Sequence, residues 1–257
     1  MQGIRVSRWR DLILVQEDAF RIWIIACDSL GGIGPQPEDV YPASAKVVGR
    51  ACARVVLMEI LAAGGTPVVL VDTLGVSMEP YGREILAGIH EELERCGLGG
   101  KVAVTGSTEE NVWTKQTFLG VTGLGLASPQ ELRLGRTALG DLVLVAGVPK
   151  SASMDHVDLD DPDVANPTTI QRLLALDAVH EILPVGSRGI RYEAEELAHG
   201  AGGVFVPLPS PSLDLGKSAG PSTCVLVTVP EDAVDPLSAS LSLPCHVVGS
   251  IRERELG

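Results

Sequence analysis

Two short runs of β-branched and aliphatic residues open the chain, 11–16 (DLILVQ) and 21–27 (RIWIIAC), with Glu17 and Asp18 between them. Apolar runs of this length bounded by turn formers predict a β-hairpin. The second run leads into 28–35 (DSLGGIGP), where glycines permit positive φ and a close backbone approach to a ligand. At 44–63 (SAKVVGRACARVVLMEILAA) helix formers dominate. Ser44 suits the N-cap, and Gly64, Gly65 and Pro67 stop the helix. A strand at 68–71 follows, then a helix at 79–95 with Ile85, Ile89 and Leu93 at i, i+4, i+8. A strand at 101–104, a polar stretch at 105–117 and an apolar strand at 118–127 complete the first half.

Pro, Gly and charged residues replace the periodic apolar positions at 128–140, and 141–148 (DLVLVAGV) starts a new strand, so two domains are expected, 1–130 and 138–257. The second half reads as an acidic loop at 154–167, a helix at 168–180, a strand-to-loop transition at 182–189 (ILPVGSRG) and a helix at 192–199. Strands at 204–208 and 224–229 precede a loose end punctuated by Pro230, Pro236 and Pro244. Strands and helices alternate imperfectly, which predicts a mixed α/β or α+β fold.

Composition narrows the function classes. The 257 residues are 45% hydrophobic and 21% charged, enough to bury real cores. A net charge of −13 repels a polyphosphate backbone, so no nucleic-acid partner is expected and any anionic ligand must be met locally or through a metal. Five scattered cysteines without a CxxC fit reduced thiols and argue against structural zinc. The opening residues lack an apolar leader and no run reaches the roughly 18 apolar residues of a membrane span, so a cytoplasmic protein without membrane contact is expected. No HExxH, GxSxG or Walker pattern occurs, which disfavours zinc hydrolysis and P-loop chemistry.

Several polar residues stand where chemistry is possible. Asp28 follows an apolar strand and precedes the glycine loop; it holds a metal there or caps a turn. Glu59 has Val55, Val56, Ala62 and Ala63 as helical neighbours, so another element supplies a cation or its face opens onto a site. The segment 105–111 (TGSTEEN) gathers hydroxyls and carboxylates that suit Mg²⁺ beside phosphate, or forms a solvated loop. Asp72 ends VVLVD and reads mainly as a turn residue. Arg50 and Arg54, at i, i+4, clamp a phosphate or bridge to acidic loops. The aspartates of 155–163 miss the EF-hand pattern, since the twelfth position from Asp158 is Thr169, and read as a solvated loop.

Taken together these residues resemble the superfamily of aminoimidazole ribonucleotide synthetase, thiamine monophosphate kinase, selenophosphate synthetase and the hydrogenase-maturation protein HypE. Asp11 in RDLILV is similar to the acidic start of the family's first strand, and Asp28 to the acid of its "tDg" element. Residues 47–67 (VVGRACARVVLMEILAAGGTP) resemble the "iGrkA...lsDiaAmGatP" helix, which puts Glu59 at an acidic metal-ligand position. Residues 105–125 resemble the "GGdT...vtvtG" element, except that Ser107 stands at the usual acid, leaving Glu109 or Glu110 to substitute. Within the superfamily the STEEN segment, 182–198 (ILPVGSRGIRYEAEELA) and 218–229 (SAGPSTCVLVTV) resemble α-ribazole kinase of cobalamin salvage.

The resemblance implies a two-domain fold whose first domain binds ATP and Mg²⁺ and pairs its sheet across a homodimer. It implies an ATP-dependent small-molecule kinase with α-ribazole, a riboside, as favoured acceptor. A thiamine monophosphate kinase-like enzyme, a synthetase and a nucleotide binder without turnover are the alternatives. The implied metal ligands are Asp28, Glu59, Glu109 and Glu110. The implied nucleotide contacts are Asp11, Asp28, Gly31, Gly32, Arg50, Gly106, Ser107 and Thr108, with Arg188 and Lys115 as candidates for the transfer step. Closure of a basic amino terminus over the phosphates falls to Arg5, Arg8 and Arg10. The 186–189 turn (GSRG) is expected in the acceptor pocket, with Ser187 capping the next helix and Arg188 donating to the substrate, or else is a plain turn.

Overall fold

The computed structural model describes residues 3–152 and 154–254. The chain forms two compact units, Met1–Leu61 with Gly65–Leu132 and Ala62–Gly64 with Arg133–Gly257. Each combines a sheet with helices, the mixed α/β class expected.

In the first unit β1 (Arg5–Trp9), β2 (Leu12–Gln16) and β3 (Ile22–Gly31) run as an antiparallel meander. A short parallel bridge joins β4 (Ile33–Gly34) to β5 (Tyr41–Pro42). Then follow α1 (Ala45–Ala62), β6 (Thr66–Leu74), α2 (Arg83–Arg95), β7 (Ala103–Thr108) and β8 (Phe118–Ala127). The sheet order is β1-β2-β3-β8-β6-β7, parallel only between β6 and β7.

Local chemistry sets the helix ends. Ser44 Oγ accepts the Val47 amide at 3.3 Å, so α1 starts where its N-cap predicts. Helix α2 starts at Arg83 instead of 79, because Pro80 pushes the residue before it out of the helical region and Glu79 is extended (φ −109°, ψ 134°). Val56 and Ile60 of α1 lie over Gly123 and Gly125 of β8, covering the sheet face formed by Ile24, Ala26, Leu70, Leu119 and Val121. The two helices meet backbone to backbone: a Cβ on Gly49 or Gly88 would lie 2.0 Å from the Ile85 or Lys46 carbonyl oxygen. Beside this contact Arg50 and Arg54, 5% and 2% exposed, hold Glu92, also 2% exposed.

Four longer strands of this unit differ from the sequence reading: β6 extends beyond the expected 68–71 to Leu74, so Asp72 lies inside it, and three others differ as follows. Residues 105–108, read as polar loop, continue β7, because parallel pairing carries Asp72↔Gly106 through Leu74↔Thr108. Strand β3 runs past Asp28 to Gly31, paired to β8 throughout, so Asp28 lies inside a strand. Strand β1 has no apolar signature in the sequence, because its arginines and serine leave no apolar run on an exposed edge.

The second unit comprises β9 (Leu142–Gly147), α3 (Pro167–Leu174), β10 (Glu181–Pro184), α4 (Gly189–Gly200), β11 (Val204–Pro207), β12 (Cys224–Val229), α5 (Val234–Ser240) and β13 (Cys245–Arg252). Its five-stranded sheet, β10-β12-β9-β13-β11, is antiparallel throughout. Leu183, Ile190, Ala194, Leu197, Leu226 and Ile251 share one core cluster, and every residue of β12 is buried. An Asn166–Thr169 capping box starts α3, which stops at Leu174, short of the expected 180; the Leu176 and Val179 amides bond back as successive turns. The expected loose end contains α5 and β13, hidden by Pro236, Pro244 and a register shift between Val247 and Gly249 that breaks the strand period. Among the described residues no helix is long and apolar enough to cross a membrane.

Candidate functional site

Strand register assembles a row of residues across four strands of the first unit. Asp28 of β3 and Asp72 of β6 both pair with Val121 of β8, one from each side, and Asp72 pairs in turn with Gly106 of β7. Cross-strand neighbours share a face, so both carboxylates point to the helix-covered side, two strand spacings or about 10 Å apart. The next row on the opposite face carries Ser29, Gly120, Thr73 and Ser107. Ser107 therefore faces away from Asp28, while Thr108 shares the acid-bearing side.

Both acids are strained electrostatically. Burial pushes the Asp28 carboxyl up to about 6, against the opposing pull of the Ser29 amide and the Cys52 thiol. The Cys52 thiol on α1 contacts the Asp28 carbonyl oxygen at 3.5 Å and is pushed upward by burial and by the Asp28 charge. Asp72 is 2% exposed, and its Oδ2 is a buried atom without a hydrogen-bond partner. Burial raises its carboxyl, and its own backbone amide, with a smaller contribution from His90 on α2, only partly offsets this. Gly106 makes room for it: a Cβ there would lie 2.3 Å from the Asp72 Cγ. Asp72, expected mainly as a turn residue, is the one acid among the described residues with a buried, unpartnered oxygen; its place after four apolar strand residues is the sequence signal.

The expected four-carboxylate metal set is not assembled. Cys52 marks the Asp28 level of α1 and Ile60 the Gly125 level, so Glu59 lies near the far end, seven residues or about 10 Å along the axis from Cys52. It is half-buried and has its own interaction, so its lack of helical counter-charges needs no metal to explain it. Glu109 Oε1 accepts the Asn111 and Val112 amides at 2.7 and 3.0 Å. Glu110 Oε1 accepts from the Met78 amide and Thr108 Oγ1, both at 2.7 Å, which lowers its carboxyl below the usual range. Among the described residues no group of three or more His, Cys, Asp or Glu side chains converges. Mg²⁺ is typically held by one or two carboxylates plus substrate phosphates, and a buried acid oxygen without a partner fits that cation.

The remaining candidates are placed as follows. Arg50 is not a phosphate clamp: its guanidinium is spent on Glu91 and Glu92. Asp11 is exposed in the β1–β2 turn, and the Ile13↔Ile25 register continues toward Cys27 and Asp28, bringing that turn to the same end of the sheet. The Gly32 amide donates to the Thr117 carbonyl at 2.9 Å, so it braces a loop and does not cradle phosphate. Asp39 completes the brace, accepting from the Thr117 amide and hydroxyl at 2.7 Å each. Lys115 is exposed and pairs with Glu38 at 2.9 Å. In the second unit Arg188 is exposed and stacks on the Tyr192 ring at 4.4 Å. Helix α4 begins at Gly189 with Arg188 as N-cap and no side-chain cap bond, so Ser187 does not cap it. Of the acidic-loop residues, Asp155 pairs with Lys217 at 2.9 Å and Asp161 with Lys150.

Residues 23–127 match the family of AIR synthase related protein, N-terminal domain. The selenide, water dikinase of Pseudomonas straminea is 27% identical over 166 residues, covering 60% of this chain and 46% of that protein, so the chain spans about half the length of this relative. Thiamine-monophosphate kinase from Stenotrophomonas maltophilia superposes with a TM-score of 0.66 at 17% identity, covering 99% of this chain and 90% of that one. Hydrogenase maturation protein HypE in complex with ATP superposes with a TM-score of 0.62 at 15% identity, covering 89% and 77%. The segment 23–127 thus matches the AIR synthase-related N-terminal domain, and the architecture is AIR synthase-like.

Proposed function

We propose that the chain is an ATP-dependent small-molecule kinase that uses Mg²⁺ and transfers phosphate to a riboside hydroxyl, with α-ribazole as favoured acceptor. The observation that carries this reading is the acid row: two desolvated carboxylates on one sheet face, one with an oxygen that no described residue satisfies. Asp28 and Asp72, too far apart to ligate one ion directly, would each face a Mg²⁺ that would neutralise the phosphates when bound. Both acids are held toward their neutral forms by burial, so loading the site releases protons and strengthens as pH rises through about 6. The glycine at 106 keeps the floor beside Asp72 open, and Thr108 lies two residues further along β7 on the same face.

AIR synthase-related proteins include kinases in name, thiamine-monophosphate kinase and selenide, water dikinase, and HypE is known with ATP. The choice of α-ribazole rests on the likeness of 182–198 and 218–229 to that kinase. Homodimer formation is supported by the uncovered sheet face, where Ile13, Val15, Trp23, Ile25, Leu124 and Leu126 are only half-buried. The test is product analysis with Mg-ATP and α-ribazole, thiamine monophosphate or selenide in parallel, for wild type and Asp72→Asn. Phosphorylated α-ribazole, lost in the variant, is the expected outcome. Transfer to another acceptor would overturn the substrate, and full activity of Asp72→Asn would overturn the site.

A further inference from the structure

At the Asp28 end of the first unit, the loops 31–42 and 109–117 are tied together. Besides the Asp39–Thr117 bonds, Gln116 Nε2 donates to the Glu38 carbonyl at 2.7 Å, the Glu38 amide to the Lys115 carbonyl at 3.1 Å, and Thr114 Oγ1 to the Gly75 carbonyl at 2.6 Å. Glu109 pins the start of the second loop through the Asn111 and Val112 amides. Within this frame the Trp113 side chain is 91% exposed, beside Val112 at 65%. An indole held in water on a braced loop forfeits the large apolar burial that tryptophan ordinarily gains.

The position of Trp113 says what would cover it. The loop leaves β7 at Thr108, two residues beyond Gly106 of the acid row, and enters β8 at Phe118, three residues before Val121 of the same row. Lys115 is the sole cation in these two loops and pairs with Glu38, so the platform does not attract a phosphate by charge. What remains is a π face on a loop that joins two strands of the acid row, β7 and β8, which suits a flat, uncharged ring on a ligand that extends toward that row. We propose that Trp113 is the stacking platform for the heteroaromatic ring of a ligand bound at the Asp28–Asp72 row, either the adenine of ATP or the base of the riboside acceptor. This rests on the kinase reading above. Stacking tolerates any base because every base has a π face, so selectivity would come from elsewhere.

The test compares wild type, Trp113→Phe and Trp113→Ala in calorimetric titrations with Mg-ATP, magnesium tripolyphosphate, α-ribazole and ribose. Ligand-induced tryptophan emission is followed in parallel. Trp113→Ala should weaken one base-bearing ligand roughly 5- to 150-fold, Trp113→Phe less, and leave the base-free partner of that ligand unchanged. Loss confined to Mg-ATP identifies adenine; loss confined to α-ribazole identifies the acceptor base. The quenching seen in wild type should vanish in Trp113→Phe. If wild type binds base-bearing ligands and both variants match it, the platform falls while the kinase reading stands. If α-ribazole alone binds and moves Trp113 emission, the platform stands and the kinase reading falls. A Trp113→Ala protein altered only in oligomeric state by light scattering, or wild type binding no base-bearing probe, overturns the platform as well.

Discussion

Replacing Glu92 by glutamine removes the one carboxylate that Arg50 and Arg54 share at the contact between α1 and α2. The Arg54 Nε–Glu92 Oε1 bond is 2.7 Å and the Arg50 Nε–Glu92 Oε2 bond 3.2 Å, with all three side chains nearly inaccessible. Arg50 keeps Glu91 at 3.6 Å, but the buried charge of the cluster is no longer balanced, and breaking a buried pair typically costs about 3–5 kcal/mol. Gly49 and Gly88 let the helix backbones meet beside this cluster, which keeps its side chains out of water. At roughly 2–4 °C per kcal/mol for a chain of this size, Tm should drop by about 10 °C. Urea melts should show the lower midpoint with an unchanged slope. The combined Arg50→Met, Arg54→Leu, Glu92→Met protein should be close to wild type in stability, because an apolar trio replaces the pair without stranding a charge. A Glu92→Gln Tm within about 2 °C of wild type would refute the reasoning, since the lower bound of the cost is about 3 kcal/mol. An Arg50→Ala protein that lost Mg-ATP affinity at unchanged Tm would restore Arg50 as a phosphate ligand.

The Asp28 carboxyl titrates near 6 in the fold against an ordinary 3.8, so the stability tied to its neutral form is complete below 3.8 and lost as pH rises through about 6. Asp28→Asn, always neutral, should match wild type near pH 4, exceed it by up to about 3 kcal/mol at pH 8, and bind no Mg-ATP; equal melting curves at pH 8 would contradict this. Light scattering at micromolar concentration should give twice the 27.0 kDa chain mass, and a monomer would remove sheet pairing. Arg188→Ala should raise the acceptor KM or lower kcat with nucleotide affinity and Tm unchanged, and wild-type kinetics on the phosphorylated acceptor would move the pocket away from the 186–189 turn.

What the sequence determined by itself was local. The helical run at 44–63, its Ser44 cap and its glycine stop are encoded in contiguous residues, and α1 forms there. Asp28 was visible as an acid after an apolar run, and the mixed α/β class followed from the succession of periods. Tertiary structure decided everything that depends on register and on which face a residue occupies. Asp72 joins Asp28 only because both strands flank Val121, a relation between positions 44 residues apart that no local pattern contains. Ser107 and Thr108, adjacent in sequence, face opposite sides because a strand alternates and a loop need not. Arg50 and Glu59 looked like ligands because their partners were out of sight. The first is neutralised from α2, across 42 residues of chain, and the second lies at the wrong end of its helix. Charge and propensity can be read from neighbours in the chain, whereas the desolvation that makes a carboxylate reactive is a property of what the fold packs around it.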